Sequence, residues 1–277
     1  MLIPAALFSQ TINKTLQHKV DELVKRYNGD IGIYIKSLKT GKVVQINSDT
    51  IFPTASIVKI PILLGIVKKI SAAELTYHQE FVYSDSMLYE GVDILGSFKN
   101  GEKIELSKLI MLMLSMSDNT ASLWLQKIAG TGIVINELME KNGFRNTRVN
   151  SKTIGRENDR NQYGWGQTTP KELATVFEKL YRGEIINDSL SKKMIRLLGR
   201  NYWDEEALSE IPPTIFVASK SGAVDASRSE ILLVMAKEPY LLSVFTKNNK
   251  DKSWEYKNEA WVLTRKLSKI TYDYYSR

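Results

Sequence analysis

An α/β fold of the α+β type is predicted, an antiparallel sheet flanked by helices and split by an inserted all-helical segment. Three observations carry this. A helix and a hairpin open the chain, a long helical stretch fills its middle, and strands return only near its end, before a last helix.

Residues 11–27 place Ile12, Leu16, Val20, Leu23 and Val24 at helical spacing. Alternating runs at 31–35 and 43–46 follow, with Lys39-Thr40-Gly41 between them as a hairpin turn. From 54 to about 199 the pattern is helical, most clearly at 106–116, 121–129 and 170–181. Residues 215–219, 231–236 and 241–245 read as strands, and 254–275 as a terminal helix. The simplest assembly is a discontinuous α/β domain of residues 1–50 and 200–277 that holds an inserted helical domain of residues 51–199. A functional cleft is expected between them. No repeat, low-complexity segment or linker separates the two parts, which should share a large interface.

Composition removes several chemistries. The net charge of +7 comes from 38 basic and 31 acidic residues spread along 277 positions, which reads as a solvated basic surface and not as a nucleic-acid-binding face. There is no cysteine, hence no thiol nucleophile, disulfide or thiolate metal site. The two histidines, His18 and His78, lie far in sequence from any serine motif, so neither a Ser-His-Asp triad nor a multi-histidine zinc site is expected. No cofactor or metal is implied, and a serine nucleophile would take a lysine as its base. No run of eighteen apolar residues is present to span a membrane. Residues 2–9 are short and apolar without a basic leader, and read equally as the tail of a secretion signal or as a frayed terminus.

Three motifs in a fixed order carry the function. Ser56-Ile57-Val58-Lys59 opens an apolar stretch in which Ser56 and Lys59, three apart, share one face of a first helical turn capped by Thr54. The helix dipole there favours an oxyanion, and burial beside another cation lowers a lysine toward the range of a working base. Ser117-Asp118-Asn119 falls between two helices. A serine hydroxyl can relay a proton, and an asparagine amide can both donate to and accept from a substrate amide, while Asp118 reads as the cap of the next helix. Lys220-Ser221-Gly222 continues a strand, where a cation and a hydroxyl suit a carboxylate and glycine allows close backbone approach. Arg228 is a candidate second cation if the next strand pairs antiparallel, or else a solvated charge. Each motif alone is weak. Ser189-Leu190-Ser191-Lys192 repeats the first pattern, and Lys39-Thr40-Gly41 imitates the third. Only the set centred on Ser117-Asp118-Asn119 is ordered.

With these residues assembled, the chain resembles class A serine β-lactamases and, more broadly, the penicillin-binding D-alanyl-D-alanine peptidases of the same β-lactamase/transpeptidase-like fold. Asp118-Asn119-Thr120-Ala121, Gly143 through Thr147-Arg148, and Thr168-Thr169-Pro170 extend the likeness over most of the chain. The resemblance implies that Ser56 forms an acyl-enzyme, that Lys59 and Ser117 handle protons, and that Asn119, Lys220 and Ser221 bind substrate. It places an oxyanion hole at the backbone N–H groups of Ser56 and Ala223, and an aromatic, Tyr89, at the cleft mouth. It also implies a deacylating glutamate followed four residues later by asparagine, a spacing that Glu157 and Asn161 keep. Glu157 nevertheless lies closer to Thr168-Thr169-Pro170 than in the family pattern, and an ungapped carry-over from Asn119 lands on Thr153. Gly164 and Gly166 around Trp165 point to a loop of different shape.

The resemblance leads first to a periplasmic or secreted, monomeric β-lactamase. Two alternatives stay open. One is a cell-wall peptidase or transpeptidase, acting on peptidoglycan stem peptides, that β-lactams merely acylate. The other is a non-catalytic sensor of β-lactams or muropeptides.

Overall fold

The computed structural model describes residues 11–277; the apolar segment 2–9 lies outside the described residues. Asn13 starts helix α1 (Lys14–Val24), its side chain accepting from the Leu16 N–H at 3.2 Å. Strands β1 (Asp30–Ser37) and β2 (Val43–Ile46) form the expected hairpin. Gly41 takes a φ of +71° in its connection, so Lys39-Thr40-Gly41 is turn chemistry.

The middle of the chain is mostly helical. Strand β3 (Phe52–Pro53) leads into α2 (Lys59–Ser71), which is buried from Lys59 through Val67. An outlying pair, β4 (Glu80–Val82) and β5 (Lys103–Glu105), precedes α3 (Leu106–Met111), α4 (Asn119–Ile128) and α5 (Thr131–Lys141). Strand β6 (Arg148–Val149), helix α6 (Glu157–Tyr163) and strand β7 (Gly166–Thr168) form the segment before α7 (Pro170–Tyr181) and α8 (Asp188–Leu198). Pro170 occupies the first turn of α7, and the Thr169 hydroxyl caps it by accepting from the Glu172 N–H at 3.1 Å. The short strands were not predicted: two or three residues are too few for a period-2 pattern to show.

Strands β8 (Val217–Val224), β9 (Ser227–Val234) and β10 (Tyr240–Lys247) then return, and α9 (Glu259–Tyr275) closes the chain. The five long strands make one antiparallel sheet in the order β2-β1-β10-β9-β8, so the first hairpin joins strands some two hundred residues away and β8 is an edge. One face, with Ile33, Ile35, Val44, Leu232 and Val234, packs under α1 and α9. The other, with Tyr34, Ile231, Leu233, Leu241 and Phe245, joins the core of α2, α4 and α7. Burial on both faces is why Ile231-Leu232-Leu233-Val234 in β9, and most of β10, read as continuous apolar runs. Gly32 of β1 fits this packing: a Cβ there would lie 2.5 Å from the Phe52 ring and 2.8 Å from Pro170, so its bareness lets α7 sit close on the sheet.

Candidate active site

The turn carrying Ser56 is wedged between two strands. A one-turn 3-10 segment, Ala55–Val58, holds it, and the α-helix begins only at Lys59. The expected Thr54 cap is absent: its hydroxyl is buried without a partner. Instead the Thr54 N–H donates to the Gly166 carbonyl at 2.9 Å. A Cβ on Gly166 would meet Val58 and Thr54 at 2.6 and 2.7 Å, and one on Gly222 would meet the Thr54 carbonyl oxygen at 2.4 Å and the Ser56 nitrogen at 3.0 Å. Two glycines thus let β7 and β8 press the turn tight. Ala55, just before the serine, is left-handed at φ +43°, a strained conformation the surroundings impose.

Lys59 is the hub. Fully buried, its Nζ lies 3.1 Å from Ser56 Oγ, 2.5 Å from the Ser117 carbonyl oxygen, 3.1 Å from Ser117 Oγ and 3.0 Å from Asn119 Oδ1. Burial holds its pKa well below the ordinary lysine value, Lys220 pushes the same way, and Asp118 opposes them.

Ser117 reaches this hub through a backbone change. The predicted 106–116 helix loosens into a π turn at Leu112–Met116, and Ser117 then turns left-handed at φ +60°, turning the chain into α4. Asp118 does more than cap α4. Its carboxylate accepts from the Ala121 N–H at 2.7 Å and also from Ile94 and Leu95 at 2.6 and 2.9 Å, which fastens the 88–95 segment beside the site. On the facing edge, Lys220 is buried, with its pKa pushed down to about 8 by burial against the opposing pull of Glu230. Its Nζ donates to the Ser221 carbonyl at 2.9 Å.

These elements border an open cavity of about 440 Å³ lined by Ser56, Asn119, Ala223, Tyr163, Trp165 and Lys247, among others. Of the predicted residues, Ser56, Ser117 and Asn119 are each brought within hydrogen-bonding reach of Lys59. Ala223 lines the same cavity, and Lys220 and Ser221 lie just along its strand. Tyr89 packs edge-on against Trp165, ring centroids 5.0 Å apart.

Three predicted residues are not brought to the cavity. Glu157 is exposed at the start of α6, its carboxylate accepting from the Gly155 N–H at 3.1 Å, and Asn161 is exposed on the same helix. The inward group of this segment is Arg156, whose Nε donates to Asn150 Oδ1 at 2.6 Å and whose Nη2 donates to Gln167 Oε1 at 3.0 Å. Thr153, at the ungapped position, is also committed elsewhere, donating to the Ser151 carbonyl at 3.0 Å. Among the described residues no Asp or Glu lines the cavity. Arg228 is the third correction. It shares its face of β9 with Leu232 and Val234, so its guanidinium turns toward α9, over the Trp254 ring at 4.2 Å, and donates to the carbonyl oxygens of Val224, Ser227 and Ser253. Its parity with those leucine and valine positions was the available signal.

Sequence reasoning missed Lys247 and Asn248 at the cavity wall and the buried Glu230 behind the edge strand. Burial pushes the Glu230 carboxyl up to about 8, and its Oε2 accepts from the Ala207 N–H at 2.9 Å. Among the described residues no group of three or more His, Cys, Asp or Glu is placed to hold a metal ion, and no helix is long and apolar enough to cross a membrane.

Known proteins resemble the chain in sequence and fold. The chain is 24% identical to the β-lactamase VEB-1 of Pseudomonas aeruginosa over 282 residues, covering 96% of this chain and 92% of that protein. A β-lactamase regulatory protein, BlaB of Streptomyces cacaoi, is 31% identical over 116 residues, 42% of this chain and 37% of its own. Among solved structures, PBP-A superposes with a TM-score of 0.84 at 21% identity, covering 96% of this chain and 97% of PBP-A. The extended-spectrum β-lactamase TLA-1 gives 0.83 at 16%, covering 95% and 99%. At these identities the structural likeness speaks for the fold. The model of the Beta-lactamase enzyme family matches residues 15–275, nearly the whole chain, and the protein belongs to that family.

Proposed function

We propose that the protein is a serine acyl-transfer enzyme that opens β-lactam or acyl-D-alanyl-D-alanine amides onto Ser56 and releases the resulting ester slowly, as a penicillin-binding peptidase does. The observation that carries this is the buried Lys59 amine, within hydrogen-bond distance of both Ser56 Oγ and Ser117 Oγ. The Ser117 carbonyl and Asn119 Oδ1 can only accept, so in the neutral amine they take its two N–H bonds. Its lone pair is then free for the Ser56 hydroxyl proton. As Ser56 Oγ bonds to the carbonyl carbon, that proton passes to Lys59. Ser117 relays a proton to the departing amide nitrogen as the C–N bond breaks. The backbone N–H groups of Ser56 and Ala223 receive the oxyanion, Asn119 the substrate amide, and Lys220 with Ser221 the carboxylate.

The slow second half follows from the loop. Deacylation needs a base beside the ester to activate water, and Glu157 faces solvent. A second reading, an efficient β-lactamase, is favoured by the likeness to VEB-1 along nearly the full chain. Glu157→Ala separates the two. With benzylpenicillin, the expected outcome is release of the acyl group within about twofold of wild type, as for a surface change away from the reacting atoms. A large loss of turnover with acylation intact would instead make Glu157 the base and favour the lactamase. The substrate classes, a monomeric state, a periplasmic or secreted location, and the division into an α/β part at 1–50 and 200–277 with an insert at 51–199 belong to the same proposal.

A further inference from the structure

Strand β8, which carries Lys220 and Ser221, reaches the cavity through Ala223 and Val224, and Lys247 also lines it. The chain further brings Tyr163, Gly164 and Trp165 to the wall, with no charged side chain among those three. Trp165 is the best held of these. Gly164 turns at φ +70° before it, and Gly166 after it lies so close to Val58, Thr54 and the Arg148 carbonyl that no side chain fits. The Trp165 carbonyl accepts from the Asn150 and Ser151 N–H groups at 2.8 and 3.0 Å, and the Gly166 carbonyl accepts from Thr54. The backbone on both sides is thereby tied to the turn that carries Ser56.

The indole meets the edge of Tyr89, which is tied to the opposite wall. The Tyr89 N–H donates to Thr120 Oγ1 at 2.9 Å, and the Asn119 N–H donates to the Val92 carbonyl at 2.8 Å. Neither ring is spare packing. Both are only half-buried, and Trp165 lines the cavity that Ser56 and Asn119 also line.

We infer that Trp165, backed by Tyr89, is a specificity-determining residue that selects substrates with an uncharged aryl or otherwise apolar acyl side chain. This rests on the proposed acyl transfer to Ser56. With the carboxylate drawn to Lys220 and the amide read by Asn119, the group on the far side of that amide lies against the indole. The uncharged rings of Trp165 and Tyr163 favour aryl groups by burial and edge-to-face contact, and a charged group set against the indole would lose solvation there without a partner.

The test compares acylation of the full-length protein by benzylpenicillin and by 6-aminopenicillanic acid, which lacks the aryl side chain. The ratio of their second-order rate constants is read from intact mass. Trp165→Ala should lower the wild-type ratio by about tenfold or more, Trp165→Phe should restore most of it, and Tyr89→Ala should lower it less. A ratio unchanged in Trp165→Ala, or one not restored by phenylalanine, would overturn the inference while leaving acyl transfer standing. Failure of both compounds to acylate the wild type would overturn the proposed function, and this inference with it.

Discussion

Lys59→Met is expected to lose acylation by roughly 10²–10⁴-fold, the span of a positioned general base, while the protein stays folded. Methionine keeps an unbranched chain in the apolar surroundings of α2 but supplies no lone pair for the Ser56 proton. It removes a buried amine whose charging is costly but also takes the donor from the Ser117 carbonyl and Asn119 Oδ1, so the two effects offset and the melting temperature should move little while activity collapses. Kinetics of adduct formation together with a thermal melt check both halves. Loss of activity with loss of fold would make Lys59 a structural residue.

The same groups set a pH dependence. Burial lowers the Lys59 pKa, so the neutral base gains population as pH rises and acylation should climb with it. Lys220 must stay protonated to hold a carboxylate, and its value near 8 means that this attraction fades above that pH. Acylation at low substrate concentration should therefore rise from acid pH and fall above about 8. Lys220→Arg should move the falling limb to higher pH, because a guanidinium stays charged throughout. A falling limb that does not move would detach it from Lys220.

Gly222→Ala is expected to cost acylation roughly 10²–10³-fold, the scale of losing one oxyanion-hole donor. The added methyl would lie 2.4 Å from a backbone oxygen, that of Thr54, and 3.0 Å from the Ser56 nitrogen. Neither atom belongs to a flexible side chain. Edge strand β8 must move off the Ser56 turn, carrying the Ala223 N–H out of line with that of Ser56. The sheet itself should survive, since β8 is paired with β9 along all eight of its residues. The expected signature is a fall in the acylation rate constant larger than the fall in affinity for a non-reactive carboxylate ligand. Equal falls would place Gly222 in binding alone.

Much of this was legible in the chain. The ordered triplets singled out Ser56, Lys59, Ser117, Asn119 and Lys220, and the fold groups the first four around the Lys59 amine, where the roles of nucleophile, base and substrate anchor are proposed. Helical spacing similarly announced α1, α4 and α7, and α9 too, although the expected 254–275 begins ahead of its start at Glu259. The conformation around those residues was not legible. The 3-10 turn at Ala55–Val58 and the π turn before Ser117 arise from packing against β7, β8 and the 88–95 segment, all distant in sequence. The outward placement of Glu157 was hidden for the same reason. Spacing to Asn161 can be kept while both side chains face water, and which side of a short loop turns inward is decided by partners such as Asn150 and Gln167, which engage Arg156. Trp165 was visible only as an aromatic between two glycines, and it takes the fold to show that Gly166 seats the backbone against the Ser56 turn and that Trp165 lines the cavity.

The central claim is that the acylating half of a serine β-lactam reaction is assembled here, with no carboxylate among the described residues of the cavity wall to complete the second half. Intact-protein mass followed over time after adding excess benzylpenicillin tests it most directly. The account predicts a single covalent adduct on Ser56 that forms and persists, and is absent in Ser56→Ala. An adduct that clears while penicilloate accumulates, or no adduct at all, would contradict it.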